Sequence, residues 1–264
     1  MINLVNNVKT IPLCFSGAKK PENLQLKKDE LKIDFNYKNL DKILVDLTPE
    51  QALKISNMGN IEAAQYSFNL ICDSMSIPKE LRPKFKVEEI NKTNPSMLAQ
   101  SVGLLSDSEI QYYSKTNENM PKWHIFGLMR HEMEHYKNYI SLYRIDELAD
   151  EFEDRAKKIV SKATQKDLIE DGYANTDEAI KDLEQKSKDY RTKVRKYYPP
   201  IKEGSFEYKK QKKIWASAMN FNPKNKLEYL FSAREYYCCE VQGLNWINFQ
   251  LKKFLSLFKQ KTTN

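Results

Sequence analysis

The chain has 264 residues, 41% of them apolar and 30% charged, enough for one large domain or two small ones with a substantial core. No apolar run is long enough for a signal peptide or a membrane span, and the four cysteines (Cys14, Cys72, Cys238, Cys239) lack CxxC spacing. This argues against a disulfide framework and leads us to expect a cytoplasmic protein in a reducing compartment. A net charge of +7 permits contact with nucleic acid or acidic surfaces without requiring either, and only seven glycines favour helix over a turn-rich sheet.

Residues 1–30 read as an irregular arm broken by Pro12, Gly17 and Pro21, with a short strand near Ile11–Phe15. Leu31, Ile33 and Phe35 alternate with Lys32 and Asp34, the pattern of a half-buried strand. Thr48-Pro49-Glu50-Gln51 is a helix start with a capping threonine, a proline and a reciprocal glutamine. Asn60 is placed to cap a second helix with the stripe Ile61, Ala64, Phe68, Ile71 and Met75, closed by Pro78. Strands follow at Phe85–Val87, Ser101–Leu105 and Glu109–Tyr113, the last two joined by a turn at 106–108. We expect a small antiparallel sheet whose exposed edge could take an extended peptide.

Pro121 opens the next helix, which contains His131-Glu132-Met133-Glu134-His135. One helical turn separates the two imidazoles, so both reach a single metal ion, and Glu132 is set to take a proton from water rather than to bind the metal. Only three histidines occur in the chain, and two stand at this spacing. Met129, Met133, Tyr136, Ile140 and Tyr143 form the opposite, apolar face, so the helix is expected to anchor on one side and face a cleft on the other. Gly127 would keep the metal face open. His124 lies about 10 Å up the helix from His131 and reads as a hydrogen-bonded histidine near a helix start.

Residues 144–200 read as a long charged helical hairpin turning at Gly172, with Asn175 or Thr176 capping the return arm and Pro199-Pro200 ending it. Its stripes are Ile145, Leu148, Phe152, Ala156, Ile159 and Ala163, then Ile180, Leu183, Tyr190, Val194 and Tyr197. Folding back sets the acidic run 146–154 against Arg191, Lys193, Arg195 and Lys196, which accounts for the basic stretch 181–213 without nucleic acid.

A catalytic zinc site needs a third protein ligand, and no histidine remains downstream. Asn225 and Glu228 make a capping box at the start of a later helix that also carries Glu235, Cys238 and Glu240. Glu235, two turns in, is the first candidate ligand, Glu228 the reserve and Glu240 the outside choice. Cys238 could be a ligand or a small buried residue that lets two helices approach.

His131, Glu132 and His135 together with this later helix resemble the zincin metallopeptidases, and within them the gluzincin-like group, over roughly residues 85–245. The extended HExxHxxGxxH pattern is absent, since Asn138 and Ser141 stand at its glycine and third histidine. The resemblance implies an α+β, mostly helical, zincin-like domain and zinc held by His131, His135 and Glu235. It further implies Glu132 as general base in hydrolysis of a polypeptide substrate, and an oxyanion donor for which Tyr236 and Tyr237 are the candidates.

After Gly243, the residues Leu244, Ile247, Leu251, Phe254 and Phe258 share one face with Leu255 at its edge, while Lys252, Lys253 and Lys259 point away from it and Trp246, Phe249 and Leu257 fall outside it. Being apolar on more than one side, this terminal helix is expected to dock on the core, with contact to a membrane or partner as the other reading. The expected organisation is therefore an arm (1–30), an upper lobe with sheet and HExxH helix (31–143), a hairpin (144–200) and a lower helical part (201–264). The competing functions are a non-catalytic interaction protein using the hairpin and tail, and a basic nucleic-acid binder.

Overall fold

Thr48 caps the first helix as anticipated. In the computed structural model, which describes residues 40–103, 107–219 and 232–262, its side chain accepts a bond from the backbone N–H of Gln51. The Gln51 side chain in turn accepts from the Thr48 N–H, closing a capping box on helix α1 (Pro49–Asn57). The expected strands near Ile11–Phe15 and Leu31–Phe35 lie outside the described residues. Helix α2 (Asn60–Ser74) buries Ala64, Phe68 and Ile71 from the expected stripe, but Ile61 points to solvent. Gly59, not Asn60, is its N-cap. Asn60 instead donates to the carbonyls of Asn117 and Glu118, and Lys122 donates to its Oδ1, so it ties the start of α2 to the start of the HExxH helix.

A 3-10 turn (Lys79–Leu81) leads into three strands: β1 (Lys84–Glu88), β2 (Ala99–Val102) and β3 (Glu109–Tyr113). The sheet is mixed rather than antiparallel. β3 lies in the centre, antiparallel to β2 and parallel to β1. The β2–β3 connection is short, as a hairpin allows, whereas the return from β1 to β3 passes through β2 and so can be parallel. Gly103 ends β2 with φ of +83°, and a Cβ there would lie 2.3 Å from the Asp107 carbonyl oxygen, so the turn requires glycine.

Helix α3 (Lys122–Leu142) is the axis of the molecule. Pro121 sits at its N-cap, one place before the first helical residue. The apolar face Met129, Met133, Tyr136, Ile140 is buried as expected, yet most of the remaining residues are buried too. Polar groups on this helix therefore answer to one another. Arg130 Nη2 lies 2.9 Å from Glu134 Oε2 and donates to the Lys42 carbonyl, while Lys137 Nζ reaches Glu134 Oε1 and Asp41 Oδ1.

The charged hairpin forms, with one addition. Its arms are α4 (Asp146–Val160) and α6 (Thr176–Tyr197), and a short α5 (Gln165–Glu170), capped by Thr164, occupies the tip. Asn175 caps α6 by accepting the Glu178 N–H. Arg191 pairs with Asp150 at 2.6 Å, Arg195 with Asp146 at 2.6 Å and Lys157 with Glu184 at 2.7 Å, so opposite charges set the register across the arms. Leu148, Ala149, Tyr190 and Val194 join the base of the hairpin to the core that α1, α2 and α3 share, while Val160, Leu168 and Ala179 form a separate small cluster at the tip.

Helices α7 (Phe206–Met219) and α8 (Ala233–Thr262) complete the fold. α8 crosses α3 closely at Gly127, where an added Cβ would stand 1.8 Å from the Trp246 indole nitrogen. Gly127 thus admits a tryptophan from α8 rather than clearing a metal face. The face that α8 turns inward carries Val241, Asn245 and Phe249, not the Leu244–Phe254 stripe. Asn245 decides the orientation: it accepts from the Val45 N–H and donates to the Ile43 and Val241 carbonyls.

Candidate metal centre

α3 presents His131 and His135 one turn apart, and the first turn of α8 brings Glu235 between them. The two Nε2 atoms are 3.1 Å apart, and Glu235 Oε2 lies 3.4 Å from each. Metal bonds of about 2.0–2.1 Å in tetrahedral geometry place neighbouring donors roughly 3.3 Å apart, so this triangle has the size a zinc-like ion takes. His131 and Glu235 are almost fully buried, and His135 nearly so. Glu235 Oε2 has the two imidazoles at 3.4 Å as its neighbours, with no close hydrogen bond to it among the described residues. A buried carboxylate set against two imidazoles is costly unless a positive charge, on the rings or on an ion, meets it.

Charge follows the same geometry. Burial pushes the Glu235 carboxyl up, but His135, His131 and Arg234 hold it well below the usual carboxylate range. Burial also opposes protonation of His131, and Cys239, Glu235 and Glu132 override it, raising the imidazole well above its ordinary range.

Cys238 shares the cluster: one donor atom each from His131, His135 and Cys238 falls within 4.8 Å of the others. Its Sγ, however, lies 3.4 Å from His135 Nδ1, the nitrogen away from Glu235, and 3.3 Å from the Arg234 carbonyl that it donates to. Burial, with Glu235 and Glu134 nearby, drives the thiol well above its normal range, so it stays protonated. A thiol accepting from Nδ1–H fixes the tautomer that leaves Nε2 free to ligate. The arrangement therefore favours Glu235 as third donor and Cys238 as the group that orients His135.

Glu132 is buried beside His131 and, among the described residues, takes part in no hydrogen bond or ion pair. Glu134 is committed elsewhere: burial raises its pKa, but Lys137 and Arg130 outweigh it and hold the carboxyl far below the carboxylate range. Tyr236 and Tyr237 do not face the cluster. They follow Glu235 by about 100° and 200° around the helix, their rings meet edge-on, and Tyr237 lies over Lys210. Glu228 lies outside the described residues, and Glu240 is exposed on α8. His124 stacks on Trp246 with ring centroids 5.2 Å apart, and its Nε2 has no partner among the described residues, against the hydrogen bond expected for it.

A cavity of about 310 Å³ opens beside His135. Ser101 and Gly103 at the end of edge strand β2 line one side, and Phe152, Ile214 and Trp215 from the hairpin and α7 line the other. Arg234 reaches both places, lining the cavity while its Nε lies 3.5 Å from Glu235 Oε1. Its adjacency to Glu235 is the only trace of this arginine in the sequence, and nothing in the pattern there singles it out. Comparison with protein families, curated proteins and solved structures finds no match to this chain. Among the described residues, no helix is long and apolar enough to cross a membrane.

Proposed function

We propose that the protein is a zinc-dependent peptidase in which His131, His135 and Glu235 hold the ion and Glu132 is the general base. The observation that carries this reading is the 3.1–3.4 Å triangle of donors, drawn from helices far apart in the chain and set beside a cavity edged by an open strand. It also accords with the likeness of the HExxH segment and the later glutamate to the gluzincin-like zincins. Zinc held there by His131, His135 and Glu235 would supply Lewis acidity toward water and a substrate carbonyl.

The residues of the chain account for the remaining requirements. Glu132 takes a proton from the attacking water and delivers it to the leaving amine, so one water and one amide become a carboxylic acid and an amine. An extended substrate lies along the β2 edge and bonds through its main chain, with an apolar side chain in the cavity. The Arg234 guanidinium, between the cavity and Glu235, replaces the tyrosines as the group that favours negative charge on the carbonyl oxygen.

The test combines metal analysis of the purified protein with cleavage of a random peptide mixture by wild type, Glu132→Gln and Glu235→Gln. We expect about one zinc per chain in wild type and in Glu132→Gln, much less in Glu235→Gln, and cleavage by wild type only. Failure of the wild-type chain to take up zinc would falsify the metal reading. Zinc uptake with wild-type cleavage no faster than that of Glu132→Gln would leave a structural metal site.

A further inference from the structure

The segment that leads into α1 is bonded to both helices of the candidate centre, mostly through its backbone. On the α3 side, Arg130 Nη2 donates to the Lys42 carbonyl at 3.0 Å, and Lys137 Nζ lies 3.1 Å from Asp41 Oδ1. On the α8 side, Asn245 donates to the Ile43 carbonyl at 2.8 Å and accepts from the Val45 N–H at 3.0 Å. Asn248 adds a bond to the Val45 carbonyl at 3.1 Å. The Asp46 N–H donates to Ser74 Oγ at the end of α2, and Leu40, Val45 and Leu47 seat the segment in the core. Five consecutive residues, 41–45, thus bridge two helices that lie far apart in the chain.

The anchors stand where they govern the donors. Arg130 and Lys137 flank His131 and His135 in sequence, and Glu134 reaches both cations, Arg130 at 2.9 Å and Lys137 at 3.2 Å. On α8, Glu235, Cys238, Gln242, Asn245 and Phe249 recur at three- and four-residue steps and are all buried, so they share the inward face. Apolar packing alone leaves the rotation of α8 loosely specified, because Leu244, Ile247 and Leu251 make its outer side apolar too. Hydrogen bonds are stricter. Turning α8 by one residue, about 100°, would strip the Ile43 carbonyl and the Val45 N–H of their bonds to Asn245 and would carry Glu235 off the imidazoles. We propose, resting on the His131–His135–Glu235 ligand set put forward above, that residues 41–45 are a strap fixing the rotation of α8 against α3. Asn245 and Asp41 are then positioning residues for the third metal donor. Neither touches the ion: Asn245 lies about 15 Å along the helix from Glu235.

Zinc affinity of the full chain, measured by competition with a chromophoric chelator, tests the strap. Asn245→Ala should weaken zinc binding by about tenfold or more. Asn248→Ala and Asp41→Asn each alter a single strap contact at a partly exposed position, so they should fold as wild type does by circular dichroism. Each should weaken zinc by about threefold. Leu168→Ala, in the separate cluster at the hairpin tip, controls for stability: it should lower the urea midpoint and leave zinc affinity as in wild type. Amide exchange gives a readout that general destabilisation would not. Because coupling is reciprocal, zinc should slow exchange of the Val45 amide in wild type and not in Asn245→Ala. A wild-type chain that takes up no zinc overturns the metal reading and the strap's role with it. Zinc uptake by wild type, with affinity unchanged in Asn248→Ala and Asp41→Asn, overturns the strap alone. An equal loss of affinity in Leu168→Ala does so as well.

Discussion

Cys238 and Glu235 sit one helical turn apart on α8, and both reach the histidine pair, so the question at the scale of single residues is which of them ligates. Distance alone admits either, but direction does not. The sulfur meets Nδ1 of His135, and the carboxylate oxygen meets both Nε2 atoms. Cys238→Ser should therefore keep one metal per chain and weaken its affinity by about 10–100-fold, the effect of removing an orienting partner. Cobalt substitution of the wild type should show no thiolate-to-metal charge-transfer band, and the appearance of such a band would make Cys238 a ligand. His124 supports a second prediction, about pH. Burial lowers its pKa from the ordinary 6.5, so the folded protein resists a proton that the unfolded chain takes up. With fewer protons bound in the folded state, stability falls as pH drops below about 6.5 and stops falling from this source only below the lowered folded value. In His124→Phe, the loss of stability between about pH 7 and pH 5.5 should be smaller than in wild type, as measured by urea midpoints. An equal loss in both proteins would mean that His124 titrates normally.

Among the elements, the crossing of α3 and α8 matters most, because it sets the distance between the histidine pair and Glu235. Gly127 permits the approach, with Trp246 filling the space a side chain would occupy. Gly127→Ala forces these helices apart or turns the indole, and should destabilise the protein by about 1–3 kcal/mol. Because Glu235 rides on α8, the same substitution should weaken metal binding, which a zinc competition titration would detect. A stable variant that binds zinc normally would show that the crossing does not position Glu235. This contact also marks a limit of what sequence conveys. The spacing of His131, Glu132 and His135 is a local property of one helix, and it could be read directly. So could the Thr48–Gln51 capping box, strand β3 and the ion pairs across the hairpin. Periodicity on α8 identified which residues share a face but not which face turns inward. Two apolar faces compete there, and the choice rests on Asn245 bonding to backbone near Val45, far away in sequence. Gly127 was misread for the same reason, since its partner lies on another helix.

Over the whole molecule, the candidate centre joins parts of the chain that local structure keeps separate. His131 and His135 belong to the buried axis of the core, and Glu235 begins a helix reached only after the hairpin and α7. The approach of Glu235 to the histidine pair was nevertheless legible, because the absence of further histidines directed attention to a carboxylate or thiolate on one later helix. The cavity was not, since its walls come from β2, the hairpin and α7 and no single segment encodes them. An ion held by both α3 and α8 binds the folded chain and not the unfolded one, so it should act as a clamp on the fold. Saturation at about a hundred times the dissociation constant corresponds to roughly 2.7 kcal/mol, which for a chain of this size is a shift of about 5–10 °C in Tm. Chelation should lower the wild-type Tm by that amount, and returned zinc should restore it. Glu235→Gln should begin near the chelated value and respond little to either treatment. If an ion clamps α8 to α3 in this way, its removal should speed amide exchange in the first turns of α8 before it affects α1 and α2. A wild-type Tm indifferent to chelator and to added zinc would show that the two helices are held by packing alone.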